Sequence, residues 1–435
     1  MIKKLVVVLI VAFASQLQAQ EGTASPYSFY GIGSLKFKGT VENRSMGGLS
    51  IYNDSIHLNL LNPAGYTGNN IKSFNNESRP VKFAIGGSYS SLNLKSDSGS
   101  EKANSTTFDY LALSVPMGKF GFGFGLLPYT SVGYKLESRN DNDDVSNRYR
   151  GEGGVNKAFA GLAYQINEKL SVGVEASYNF GNVKNSSVAY LYDDEGNLAQ
   201  YQSRENNRSD LSGLNFNIGL SYKTMINDKL ELSSGLTYAP GSNLTSNNTR
   251  SFSTIIINEI SGQEFVVNTI DADLEDQNLK TTDLSLPSRV SFGAGIGEPR
   301  KWFLGAEYTY QNTSKFSNPI FSIDNATFVN ASTIALGGFY IPDYNSFSNY
   351  WKRVTYRGGL HYENTGLEIN NETINEFGMS FGVGLPVGGL FSNANLGLEF
   401  GKRGTTNQNL IQENFINLQI SLSLNDRWFQ KRKYN

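Results

Sequence analysis

The chain has 435 residues and a formal net charge of −2, so no basic excess indicates a nucleic-acid partner. Cysteine is absent, which excludes disulfides, thiol catalysis and zinc-thiolate sites, and the only histidines are His57 and His361. A Ser-His catalytic pair and a histidine metal cluster are therefore not expected, and the sequence implies no enzyme, no cofactor and no metal site.

Residues 1–19 have the features of a secretory signal peptide. Lys3 and Lys4 precede an apolar run from Leu5 to Phe13, and cleavage is expected after Ala19. The alternative is a transmembrane helix, but this run is much shorter than the roughly 20 apolar residues that span a bilayer. The sequence therefore predicts a mature chain that leaves the cytoplasm.

Residues 20–80 mix glycine, proline and apolar residues without clean alternation. They include Met46-Gly47-Gly48 and Asn62-Pro63-Ala64. A separate exported domain is one interpretation of this segment. We favour a plug, or hatch, inside a barrel lumen, because the N-terminus of a barrel arrives from the periplasm. Asn62-Pro63-Ala64 is the expected hinge of a gate, since proline lacks an N–H and restricts the residue before it.

Residues 81–424 alternate with a period of two. Between Leu170 and Phe180 the even positions are apolar and the odd positions are polar or glycine, and the same pattern recurs in Leu214–Tyr222 and Ile416–Leu424. Such strands fit a soluble sandwich or a membrane barrel. Short connections such as 167–169 alternate with long polar ones such as 241–283, and this segregation is typical of an outer-membrane barrel.

Fourteen strands are predicted, an even number that returns both termini to the periplasmic side of a closed barrel. Their ranges are 81–93, 105–116, 119–137, 151–166, 169–185, 210–225, 229–243, 287–297, 301–313, 331–342, 352–369, 374–386, 393–403 and 413–424. The predicted fold class is all-β: a 14-stranded antiparallel transmembrane β-barrel over 81–424, with the hatch in its lumen and a periplasmic tail at 425–435.

Several charged side chains are expected to face the lumen as a charge network. The members are Glu175, Glu307, Glu399, Arg289, Arg353 and Arg357. Charge-assisted pairs among them could clamp the hatch, and ordinary solvated lumen charge is the equally weighted alternative. The acidic runs 141–144 and 271–276 could ligate Ca²⁺, but they lack the spaced ligands of an EF-hand loop, and we interpret them as solvated.

Three sequence elements carry a resemblance to a known family. They are Met46-Gly47-Gly48 with Asn62-Pro63-Ala64, the strand entry Leu286-Pro287-Ser288-Arg289-Val290, and the tail from Ser423 to Tyr434. Together they resemble the FadL-like long-chain fatty acid transporters and their relative, the barrel subunit of the type IX secretion translocon. No ligand-binding residues can be aligned with that family.

The resemblance implies a plugged, multi-pass barrel in the outer membrane of a diderm (Gram-negative-type) bacterium, with both termini periplasmic. It would pass hydrophobic small molecules such as long-chain fatty acids without ATP, with Met46, Gly47, Gly48, Asn62, Pro63 and Ala64 as hatch and gating residues. The alternative function is a non-enzymatic barrel subunit that docks in an outer-membrane secretion or protein-assembly complex. The expected partners are outer-membrane lipid, a hydrophobic ligand and, in the second case, other outer-membrane proteins.

Overall fold

A computed structural model describes residues 22–67, 80–97, 99–140, 142–258, 260–316, 325–387 and 392–426. The predicted signal peptide, residues 68–79 of the expected hatch and the tail beyond Asp426 lie outside these ranges. The described strands are β1 (Ser34–Leu35), β2 (Val81–Ser96), β3 (Gly99–Met117), β4 (Phe120–Arg139), β5 (Val145–Gln165), β6 (Leu170–Ala189), β7 (Gln202–Met225), β8 (Glu231–Ala239), β9 (Ser242–Ile257), β10 (Glu264–Asp271), β11 (Thr281–Leu286), β12 (Arg289–Glu298), β13 (Trp302–Gln311), β14 (Ala326–Phe328), β15 (Ala331–Tyr340), β16 (Thr355–Ile369), β17 (Glu372–Val387), β18 (Ser392–Arg403) and β19 (Gln412–Asp426).

Fourteen of these strands close into one antiparallel barrel, and each predicted strand overlaps one of them. The barrel runs from β2 to β8, continues through β12, β13 and β15 to β19, and closes where β19 pairs with β2 from Gln412↔Lys95 to Asp426↔Val81. The predicted fold class is confirmed. The rim that carries the short connections, such as 118–119, is called the turn rim below, and the opposite one the loop rim.

The few helical segments are short. The one α-helix in the described ranges is α1 (Val41–Arg44), and 3-10 turns occupy Pro26–Phe29, Pro63–Tyr66, Thr313–Lys315, Tyr350–Arg353 and Asn407–Asn409. None of the helices in the described part of the chain is long and apolar enough to cross a membrane.

Residues 22–67, called the hatch from here on, lie in the lumen. The buried core lies between the hatch and the inner face of the wall, not between two sheets. In one cluster, for example, Leu58, Leu60 and Tyr66 of the hatch pack on Tyr110 of β3 and Phe159 of β5. The inner face of this barrel is therefore filled by its own N-terminal segment.

The predicted long loop at 241–283 is largely β-strand, which corrects the sequence interpretation. β9 pairs with the first half of β7, from Gln202↔Ile255 to Ser212↔Thr245, and β10 and β11 pair with β9. These elements raise one side of the loop rim into a wall, called the rim wall below. One face of β9 is buried, but it carries Ser246 and Asn248 as well as Leu244. The regular apolar alternation that marks the other strands is therefore missing.

A charged side chain on the outer, lipid-facing surface of the barrel is expected to lower its stability strongly. On β7 the five residues Leu214, Phe216, Ile218, Leu220 and Tyr222 are exposed, and Ile218 is the central one. We expect Ile218→Arg to lower the free energy of unfolding by about 2–4 kcal/mol, as for a cation near the membrane midplane. Refolding titrations in lipid vesicles would measure this cost.

The matched control is Asn215→Ala on the lumen face of the same strand, where Asn215 accepts one hydrogen bond from Asn179 Nδ2 at 3.1 Å. The loss there should be about 1 kcal/mol, the net worth of one hydrogen bond. Equal costs at the two positions would contradict the assignment of the faces.

Candidate functional site

The motif Met46-Gly47-Gly48 forms the tight exit from α1. The helix begins at Val41, and the hydroxyl of its N-cap residue Thr40 accepts a hydrogen bond from the N–H of Asn43. Gly47 and Gly48 then adopt φ of +72° and +95°, conformations that are strained for any residue with a Cβ. The motif therefore turns the chain sharply against the wall.

Wall glycines make room for this turn. A Cβ built on Gly359 of β16 would lie 2.2 Å from the backbone N of Gly47, and one on Gly337 of β15 would lie 2.2 Å from the carbonyl O of Met46. Real Cβ atoms do not approach backbone so closely, so these two positions allow the hatch backbone to lie directly on the wall backbone. The sheet and the motif are complementary in shape.

The second motif docks in the same way on the opposite side of the lumen. The side chain of Asn62 accepts a hydrogen bond from Ala64 N at 3.0 Å and donates one to Leu220 O of β7 at 2.9 Å. A Cβ on Gly173 would lie 2.4 Å from the carbonyl carbon of Pro63. Asn62 and Ala64 are buried. The motif is thus an anchored turn in this structure, and its role as a hinge stays a prediction.

The three predicted lumen glutamates are buried, and each accepts a hydrogen bond from a different hatch residue. The donors are Tyr66 OH to Glu175 at 2.9 Å, Ser50 N to Glu307 at 2.7 Å, and Arg44 Nη2 to Glu399 at 2.7 Å. Glu175 also receives Lys157 Nζ of β5 at 2.9 Å. The carboxylates therefore lie between wall and hatch, where a clamp would require them.

The three predicted arginines are placed differently. Arg353 lies in the 3-10 turn before β16, with its guanidinium carbon 5.5 Å from the ring centre of Tyr350. Arg357 is buried and donates to Asn395 Oδ1 at 3.3 Å. Arg289 begins β12 and forms no ion pair within 4.0 Å with any residue in the described ranges. The structure therefore does not bring these arginines into ion pairs with the three glutamates.

Two cations of the hatch also meet wall carboxylates and were not identified from the sequence. Lys38 Nζ lies 2.6 Å from Glu376 and 3.1 Å from Glu363. Arg44, besides Glu399, lies 3.8 Å from Asp109 of β3. The available signal was that the hatch carries three cations close together in the sequence, Lys36, Lys38 and Arg44.

The pKa of Lys38 reflects this environment. Burial acts to lower the pKa of its ammonium group, but the carboxylates of Glu363 and Glu376 outweigh burial, and the pKa lies above its ordinary value. The ion pairs therefore hold Lys38 charged across the physiological pH range. Within the described ranges, no group of three or more His, Asp or Glu side chains is arranged to hold a metal ion.

The hatch separates two cavities. A chamber of about 250 Å³ lies on the loop-rim side, and its lining includes Tyr30, Phe37, Phe316 and Phe328. A vestibule of about 680 Å³ opens at the turn rim beside Tyr52. No described residue lines both cavities, and the hatch lies between them.

The wall itself is divided between β3 and β4. These strands pair only from Met117↔Phe120 to Leu111↔Leu126. Toward the loop rim β3 stays paired with β2, and β4 stays paired with β5. Where β3 and β4 separate, each has a β-bulge in the pairing with its other neighbour. Asp109 is the bulged residue of β3, and Tyr129 is the bulged residue of β4. β-Bulges bend strands and end pairing, so a seam opens here in the wall.

Strand β1 of the hatch occupies this seam. It pairs with the free edge of β4 through Ser34↔Ser131 and Leu35↔Thr130. Ser34 and Leu35 line the chamber, and they also line a smaller cavity of about 100 Å³ that reaches Ser105 of β3. β1 therefore separates the chamber from the gap between the two strands.

Comparisons with known proteins agree with this architecture. A family model described as BamG matches residues 1–435. The fold is similar to that of the Pseudomonas putida toluene transporter TodX, with a TM-score of 0.57 and 17% identity over 90% of this chain and 99% of that chain. It is also similar to a Pseudomonas aeruginosa FadL homologue, with a TM-score of 0.56 and 14% identity over 90% and 99% of the two chains.

The Ralstonia pickettii toluene transporter TbuX gives a TM-score of 0.54 and 16% identity over 90% of this chain and 98% of that chain. No curated protein matches the chain. At these identities the likeness establishes the fold alone, and the predicted resemblance to FadL-like outer-membrane barrels is confirmed at that level.

Proposed function

The chain belongs to the BamG family, and on that premise we propose that it is a non-enzymatic outer-membrane barrel that lets hydrophobic small molecules pass without ATP, with β1 as the gate. The observation that carries this proposal is the position of β1 in the seam between β3 and β4. A solute that reaches the chamber would need only the withdrawal of β1 to enter the lipid sideways.

The chamber is suited to an amphiphile. Its aromatic and aliphatic lining, with Phe316, Phe328 and Ile32, offers an apolar surface. Of the cations that line it, Lys38 and Arg44 are paired with carboxylates, and Arg289 forms no ion pair within 4.0 Å among the described residues. A molecule with an apolar body and an anionic head would satisfy both parts. Long-chain fatty acids are the class we propose first, and toluene, the compound for which the similar transporters TbuX and TodX are named, is the neutral comparison.

A disulfide that locks β1 to β4 tests the gate. Leu35 and Thr130 face each other across the pair, and Cα atoms of such residues are about 4.5–5.5 Å apart, within the range of a disulfide. The natural chain has no cysteine, so Leu35→Cys/Thr130→Cys would form only this bond. We expect uptake of labelled fatty acid to fall to background when the bond forms and to return on reduction.

The matched control locks two strands, β6 and β7, that pair without interruption along the whole of β6. Ser186 and Asn206 pair between β6 and β7 in the rim wall, and Ser186→Cys/Asn206→Cys should leave uptake unchanged in both redox states. Uptake that is indifferent to the β1 lock while the disulfide is present would overturn the gate.

A second function is favoured by the filled lumen. The hatch rests on wall glycines, its cations pair with buried carboxylates, and it separates the two cavities. A barrel of this kind could instead serve as a subunit that docks in an outer-membrane complex. In that case loss of the gene would leave uptake of fatty acids and toluene unchanged and would destabilise a co-purifying outer-membrane protein.

A further inference from the structure

Strand β10 presents large apolar side chains to water. Phe265, Val266, Val267 and Ile270 are 50%, 52%, 53% and 65% exposed, and Phe252 of the paired strand β9 is 44% exposed beside Ile270. Exposed patches of this kind on a soluble surface mark interaction sites. The rest of the rim wall is rich in Ser, Thr and Asn.

Lipid does not account for this exposure. β10 pairs with the far end of β9, and that end pairs with Gln202–Asn206, the start of β7. The lipid-facing run on β7 begins only at Leu214. At about 3.3 Å per residue, the strand continues for roughly 25 Å between Asn206 and that run. The patch lies beyond the membrane band.

β10 is also an edge. Among the described strands it pairs with β9 alone, so the backbone groups along its other side have no strand partner there. An apolar, unpaired edge is a template for another strand, and proteins normally cover, charge, bulge or twist such edges. β10 has one bulge, at Val267, and it leaves Phe265 and Ile270 on the same face of the strand. Here the central positions carry no charge at all, and the edge is open to strand addition.

The charges around the edge identify the kind of partner. Residues 264–280 contain five carboxylates, Glu264, Asp271, Asp273, Glu275 and Asp276, and one cation, Lys280. Of the five, Glu264 is already paired with Arg204 at 3.0 Å, and Glu275 lies 3.9 Å from Lys280 in an exposed pair. The acidic group that remains lies at one end of the apolar edge, and an added strand with basic residues at that end would meet opposite charge.

A second copy of this chain fits the edge poorly. Antiparallel self-pairing of β10 about its centre would place Glu264 of each copy opposite Asp271 of the other. Like charges directly opposite each other destabilise a strand pair, and Asp273 would lie close by.

We propose that the free edge of β10 binds an extended, basic-flanked strand of another protein at the outer-membrane surface, with Phe265 and Ile270 as its apolar contacts. The inference does not depend on the transport function, because the edge lies in the rim wall and not in the lumen. It holds whether or not β1 acts as a gate.

Binding of defined peptides to the purified full-length barrel in lipid nanodiscs tests the charge preference. The probes are a fluorescent strand peptide of alternating Val and Thr flanked by lysines, and the same peptide flanked by glutamates. We expect the lysine peptide to bind about tenfold more tightly. Phe265→Lys/Ile270→Lys should abolish its binding, and Leu191→Lys, an equally exposed apolar position outside β10, should not.

Photo-crosslinking in cells tests the partner itself. A photoreactive residue at 265 and at 270 should give the same adduct with one other protein, through a segment that contains lysine or arginine. The same group at 191 should not give it. Neutralising Asp271, Asp273, Glu275 and Asp276 should reduce the adduct about tenfold.

Several outcomes would overturn the proposal. They are equal binding of the two peptides, binding that survives Phe265→Lys/Ile270→Lys, an adduct between two copies of this chain, and the absence of any adduct from 265 and 270. Circular dichroism of each variant in detergent would verify that the barrel is folded before it is scored.

Discussion

Replacing Arg44 with alanine is expected to release the hatch from the wall at least about a hundredfold more often. Arg44 Nη2 lies 2.7 Å from Glu399, and the two side chains are only 11% and 5% exposed. Removing one partner of a buried pair costs about 3–5 kcal/mol, because the other charge stays buried and unpaired, and every 1.4 kcal/mol is a factor of about ten in the open population.

Thiol labelling would measure the release. The chain has no cysteine, so a cysteine at a buried hatch position reports its own exposure. Ser45 is buried and its hydroxyl has no hydrogen-bond partner among the described residues, so Ser45→Cys forfeits no bond. Ala64→Cys reports on the opposite docking point. Release of the whole hatch would speed maleimide labelling at both sites, and a local change would speed only the first.

Two controls distinguish the effect of losing a buried ion pair from the effect of losing any charged side chain. Lys184→Ala removes an exposed ion pair with Glu152, with side chains 47% and 62% exposed, and should leave both labelling rates unchanged. Arg44→Met with Glu399→Gln removes both charges and should recover much of the loss. If Arg44→Ala labelled no faster than Lys184→Ala, the ion pair would have no part in holding the hatch.

The strands of the barrel could be predicted because lipid imposes a visible pattern. On β6, Val174 and Tyr178 face outward and Glu175 and Ser177 face inward, as the alternation indicates. The prediction of 331–342 differs by only a few residues from Ala331–Tyr340. In the rim wall the same reasoning failed, since the buried face of β9 carries Ser246 and Asn248 as well as Leu244, so the apolar period is interrupted.

The site could be predicted only in part. The alternation of apolar and polar residues along β6, β13 and β18 predicts that Glu175, Glu307 and Glu399 face inward, because successive side chains of a strand point to opposite faces. Their partners Tyr66, Ser50 and Arg44 lie on an irregular segment whose path no periodicity reveals. Arg353 was misplaced for a related reason: β16 begins at Thr355, and the alternation was extended backward into a 3-10 turn.

The second prediction with a large expected effect concerns the glycines of the barrel wall on which the hatch rests. Their positions are plain in the sequence, but only the structure identifies what fills the space above them. Gly359 faces the lumen, and a Cβ built on it would lie 2.2 Å from Gly47 N. Its neighbour Gly358 faces the opposite side, and a Cβ built there would meet no atom closer than Ser380 O at 4.0 Å. The two adjacent residues therefore form a matched pair that differs only in face.

We expect Gly359→Ala to displace the hatch and Gly358→Ala to leave it in place. The added methyl group would collide with hatch backbone, which cannot rotate away as a side chain can. Overpacking of this kind costs about 1–3 kcal/mol. This cost would raise the population with a released hatch about 5- to 150-fold. The rate of maleimide labelling at Ser45→Cys would measure the change, and ion conductance in planar bilayers should rise with it. Equal labelling rates in Gly359→Ala and Gly358→Ala would contradict the prediction that the close fit of Gly47 on Gly359 holds the hatch against the wall.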